Sequence, residues 1–77
     1  QGPEAWKEYQ KEIMLSNAES WFKDTDKEVE IVKQQMKETT WENADGERNE
    51  MDISSFINKI ENDYNKLKDD IRTSFQE

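Results

Sequence analysis

The chain has no cysteine and no histidine, and only one proline and two glycines in 77 residues. Each absence closes a class of function. Without Cys there is no disulfide, thiolate zinc ligand or thiol nucleophile, and the redox compartment leaves no mark on the sequence. Without His the commonest general base and metal ligand is missing. The longest apolar run is Ile13-Met14-Leu15, against the roughly 20 apolar residues that a bilayer-spanning helix needs. Basic charge is also scarce, with 11 Lys and Arg against 19 Asp and Glu, for a net charge of −8. A field of that sign repels phosphate backbones and no basic stripe runs against it, so nucleic acid is not an expected partner. Membrane insertion is not expected, and surface binding is disfavoured because the polar faces are acidic where anionic lipids call for Lys and Arg.

With 39% charged and 31% hydrophobic residues the composition borders on disorder. Three Trp, three Phe and two Tyr nevertheless supply aromatic area for a small core. Gln1-Gly2-Pro3 resembles the remnant of an engineered protease site, so residues 1–3 are set apart and 4–77 are read as a single helical domain excised from a larger protein. Lys outnumbers Arg nine to two, Ile outnumbers Leu six to two and Asn occurs six times, a bias that points to an AT-rich genome. In composition the chain resembles helical domains of exported malaria-parasite proteins. No contiguous motif carries that likeness, and no residue role is taken from it. The Trp41-Glu42-Asn43 corner departs from the Trp-x-Gly turn of small secreted bacterial helical hairpins, because Asn43 stands in the Gly position.

Gly46 is the sole glycine after residue 4, and the surrounding Asn43-Ala44-Asp45 makes 42–52 the one clear connector. Both flanks read as helix. After the connector, Ile53, Ile57, Ile60, Tyr64, Leu67 and Ile71 step by four and three, with Phe56 and Phe75 widening the seam and Asp52 in the N-cap position. Before it, Leu15, Ala18, Phe22, Thr25, Val29, Val32 and Met36 form a second seam, with Met14 and Trp21 on its shoulder. Trp21 and Phe22 are both expected in the core. Trp6, Tyr9 and Ile13 form a further helical stripe about 150° away from that seam.

A straight helix cannot bury both stripes against one neighbour, so either the chain breaks between them or the first stripe serves another partner. Ser16-Asn17-Ala18-Glu19 and Thr25-Asp26-Lys27-Glu28, the latter just after Asp24, have the form of capping boxes. The expectation is an all-α fold, a small three-helix bundle with helices over about 4–23, 25–41 and 53–76. The alternative is a long helical hairpin that self-associates as a coiled coil.

Asp24-Thr25-Asp26 begins like a calcium-binding EF-hand loop, but Val29 stands where Gly is required and Gln35 where a bidentate Glu is required, so no calcium loop is expected. The sequence holds no nucleophile–base set, no phosphate-cradling loop and no metal-ligand cluster. Hence no catalytic, cofactor-binding or metal residue is expected, and the chain reads as a non-enzyme. The connector carries Glu42, Asp45, Glu47, Glu50 and Asp52 against Arg48, a net −4 that is half of the chain's charge. It is either a solvated linker or a surface for a partner with a basic patch. Trp41 either plugs the bundle end or anchors a partner, and Trp6, Tyr9 and Ile13 pose the same choice. The expected function is protein–protein interaction through Trp6, Tyr9, Ile13 and Trp41, rimmed by Glu42, Asp45, Glu47 and Glu50. The alternative is a structural segment that pairs with its own copies as a homodimer.

Overall fold

From Glu4 to Glu38 the sequence contains neither Gly nor Pro, and the computed structural model, which describes residues 2–39, 42, 46–47 and 49–76, shows one uninterrupted helix there. This is α1, Pro3–Glu38. Pro3 opens it where a missing N–H costs nothing, and Glu4 and Lys37 place charge of the favourable sign in the first and last turns. Thr39 ends it in an extended conformation, with its N–H on the Gln35 carbonyl at 2.9 Å.

The second helix, α2, runs over Glu50–Ser74. It starts a turn earlier than the apolar seam suggests. Asn49 is the N-cap, its side-chain oxygen accepting from the N–H groups of Met51 and Asp52 at 3.1 and 3.2 Å. Asp52, expected at that position, instead lies inside the first turn with Glu50, where both carboxylates suit the helix dipole. Residues 50–52 of the expected acidic loop are therefore helical. Gly46, at φ +80°, is the only described residue in the left-handed region, which L side chains rarely adopt.

The molecule is a two-helix hairpin, not a three-helix bundle. The expected helices 4–23 and 25–41 are one element, and neither Ser16 nor Asp24 interrupts it. The physical reason is that a break strands backbone N–H and C=O groups on both sides, of which one Ser or Thr side chain satisfies few. Without Gly or Pro nearby, no residue makes the reversal cheap. The result is elongated, 68 × 20 × 13 Å, with a radius of gyration of 18.8 Å where a compact chain of this length has about 11 Å. A thickness of 13 Å is that of a single helix. Among the described residues, each helix consequently has one neighbour.

Among the described residues, Phe22, Ile53 and Ile57 are buried, at 2%, 5% and 8% exposure. Leu15, Ala18, Val29 and Met36 of α1 are half-buried, as are Ile60, Tyr64, Ile71 and Phe75 of the second half. Trp21, expected beside Phe22 in the core, is 49% exposed. Two helices in one layer cover a single stripe on each, so a residue one position from the contact line is turned about 100° out of it. Arg72 lies opposite Glu19 and α2 ends at Ser74. The stretch of α1 from Pro3 to about Leu15, roughly 18 Å at 1.5 Å per residue, thus projects beyond its partner. Among the described residues, no helix is long and apolar enough to cross a membrane.

Asn49→Ala removes the acceptor of two backbone N–H groups and should cost about 1 kcal/mol. Thermal melts by circular dichroism should show a larger loss for it than for Asp52→Ala; the reverse order would place the helix start where the seam alone put it.

Candidate functional site

Each residue of a helix turns 100° about its axis. Measured from Phe22, which faces α2, Lys33, Asp26 and Glu19 lie about 20–60° to one side of α1. Measured from the midpoint of Ile53 and Ile57, Lys68, Glu61 and Arg72 lie about 40–80° round α2 in the same sense. In an antiparallel pair, equal rotations lead to the same edge, and there the six charges meet. Arg72 donates from Nε and Nη2 to Glu19 Oε1 and Oε2 at 2.6 and 2.9 Å. Lys68 Nζ reaches Asp26 Oδ1 at 3.1 Å, and Lys33 Nζ reaches Glu61 at 3.3 Å and Glu30 at 2.9 Å. Tyr64 donates its hydroxyl to Asp26 Oδ1 at 2.7 Å, with the Phe22 carbonyl at 3.2 Å. Arg72 also lies 4.9 Å over the Phe22 ring and Lys68 4.6 Å over the Tyr64 ring, so cations roof the aromatic contact.

This ladder shifts its members' ionisation. The hydrogen bond from Tyr64, and then that from Lys68, hold Asp26 below its ordinary value, while Arg72 does the same for Glu19. Burial, reinforced by the Asp26 carboxylate, pushes Tyr64 up to about 12. Glu30 and then Glu61 raise Lys33.

The opposite edge is apolar and open. Met14, Trp21 and Val32 lie about 80–100° from Phe22 on that side of α1, and Phe56 and Leu67 about 60–80° from the buried direction of α2. All five are 44–58% exposed. Asp24 and Glu28 flank the stripe on α1, and the pairs Lys59–Asp63 and Lys66–Asp70, both at 2.8 Å, flank it on α2. Sequence reasoning assigned these five to seams and shoulders and missed them as a surface. The signal was present, since both shoulders turn in the sense that antiparallel pairing brings to one side.

Trp6, Tyr9 and Ile13 occupy the projecting end of α1 and are 43–59% exposed. The Trp6 and Tyr9 rings lie 5.7 Å apart, and Trp6, Gln10, Ile13 and Met14 line a shallow hollow. Glu42, Glu47 and Glu50 are exposed at the other end, Glu50 within α2 and not in the connector. Trp41 and Asp45 lie outside the described residues. The expected set is therefore not one site: about 48 Å of helix separates Trp6 from Glu38. The acidic run from Asp24 to Gln35 is continuous helix. Among the described residues, no three of Asp, Glu, His or Cys are grouped to hold a metal ion.

With lowered carboxyl values, Glu19 and Asp26 stabilise the hairpin fully above the ordinary carboxylate range and lose that contribution as pH falls through their folded values. With a raised value, Tyr64 contributes fully below about pH 10 and loses its contribution as pH rises towards 12. In a Tyr9→Phe background, Tyr64 phenolate absorbance should rise near pH 12, and Asp26→Asn should bring it part of the way back. A midpoint at the ordinary tyrosine value in the parent would contradict the contact with Asp26.

No family model, curated protein or solved structure matches the chain.

Proposed function

We propose that the chain is a non-enzymatic helical interaction module that docks a partner protein through the projecting end of α1. The observation that supports this reading is the exposure of Trp6, Tyr9 and Ile13 on a helix segment with no α2 alongside. A stable helix that carries Trp and Tyr outward holds them in fixed positions, so binding costs little additional ordering of backbone. Trp and Tyr are also enriched among residues whose truncation costs most at interfaces. The partner offers an apolar groove to this face, in the manner of a helix laid into a cleft.

Glu42, Glu47 and Glu50 act at the far end, where their charge steers a partner carrying a basic patch more than it adds to affinity. The sequence adds Asp45 to that acidic group and Trp41 as a further candidate anchor. No cofactor enters this reading.

Replacing Trp6 and Tyr9 together by Ala should leave helicity by circular dichroism nearly unchanged, because neither side chain is packed against α2. Capture of the partner from an extract on immobilised protein should fall about tenfold or more. Undiminished capture would remove the projecting end from the interface.

A further inference from the structure

On the open edge between α1 and α2, one side of each helix is covered by none of the described residues. Four side chains line it where the helices run side by side, and none is charged: Trp21, Val32, Phe56 and Leu67; Met14, on the same stripe, belongs to the projecting end. Half-exposed side chains of this size present about 100 Å² each, or on the order of 400 Å² of apolar surface. The largest apolar patch of a typical monomer is itself about 300–600 Å², so this one is large for a 77-residue chain. Two such faces pressed together bury about 800 Å² from these side chains alone, and the half-buried Met36 and Ile60 with the lysine stems beside them carry the total towards the size of a specific interface.

The face is also suited to a copy of itself. It runs along the length of the helix pair, and a second hairpin laid over it adds a second layer of two helices, giving each helix a further neighbour on a layer 13 Å thick. We infer that this edge is a self-association face through which two hairpins form an antiparallel four-helix bundle. The surface is distinct from the Trp6–Tyr9–Ile13 end and does not depend on the docking role proposed for it.

Charge selects the orientation. The α1 flank carries Asp24 and Glu28, and the α2 flank carries two neutral pairs, Lys59–Asp63 and Lys66–Asp70. A two-fold axis across the helices would set α1 against the second copy's α1 and bring four carboxylates together. An axis along the helices sets α1 against the second copy's α2, and the acidic flank then meets pairs that are neutral overall. The second arrangement avoids the like-charge cost. In it, Glu28 lies level with Lys66 of the other chain, because Lys68 and Glu61 stand opposite Asp26 and Lys33 within each hairpin. The net charge of −8 on each copy opposes encounter, and salt screens that repulsion over about 8 Å at physiological strength, so association strengthens as salt is added.

The test is sedimentation equilibrium or light scattering from micromolar to millimolar protein at two salt concentrations. The expected result is a monomer–dimer equilibrium that Leu67→Glu or Phe56→Glu weakens by about a hundredfold or more. Helicity by circular dichroism should be retained at concentrations where the parent is monomeric, because both side chains already face water. Trp6→Ala should leave the dimer intact, which separates this surface from the docking end. The chain's lack of cysteine permits a direct check of orientation: Glu28→Cys chains mixed with Lys66→Cys chains should join through a short thiol cross-linker, and Glu28→Cys chains alone should not. A monomer at every concentration, or a dimer indifferent to both Leu67→Glu and Phe56→Glu, would overturn the inference. So would cross-linking of Glu28→Cys chains to one another in preference to the mixed pair.

Discussion

Register between the two helices is set along one edge by three charge pairs, and the position of every exposed surface follows from it. Glu19, Asp26 and Lys33 recur every seven residues on α1 and face Arg72, Lys68 and Glu61 on α2. A slip of one heptad in one direction sets Glu61 against Asp26, and in the other direction sets Lys68 against Lys33. Each slip introduces one like-charge pair while keeping an attraction, Lys68 against Glu19 in the first case and Arg72 against Asp26 in the second, so the native register is the one in which all three pairs attract. Exposed ion pairs add little stability singly, so the ladder acts through the alternatives it penalises more than through the energy it adds. Phe22 anchors the same alignment, buried beneath Arg72 and tied through its carbonyl to Tyr64.

Given that register, the remaining features are consequences of length and rotation. α1 has 36 residues and α2 has 25, so the end of α1 distant from the connector must project. A polar ladder on one edge leaves the other edge to whatever apolar residues lie 60–100° from the contact line. Those include Trp21, Phe56 and Leu67. The hairpin is thus polarised twice, across its width and along its length. Its acidic connector and its aromatic end are too far apart to form one pocket.

Much of this was legible in the residues, because helical periodicity survives without knowledge of tertiary contacts. The seam from Ile53 to Ile71 predicted α2, and Gly46 marked the connector. The offset of Trp6, Tyr9 and Ile13 predicted that one neighbour could not cover both stripes of the first helix. The continuity of α1 was obscured by Ser16 and Thr25, whose capping-box patterns are common in chains rich in Ser, Thr and Glu. Local pattern cannot show that a cap goes unused; that depends on whether a break gains a packed face. Trp21 was misplaced for a related reason: its breadth and its neighbour Phe22 suggested a core that a single-layer hairpin does not have.

Residue-resolved amide hydrogen exchange tests the central claim most directly, since it reports local opening along α1. The account predicts strongest protection from Ala18 to Val29, opposite the α2 residues that bury Phe22, and a smooth decline towards Glu4 along the projecting end. A sharp loss of protection at Ser16 or Asp24 would show a broken helix. Protection at Trp6 and Tyr9 equal to that at Phe22 would show that a further element covers the end and that the hairpin is not the folded unit.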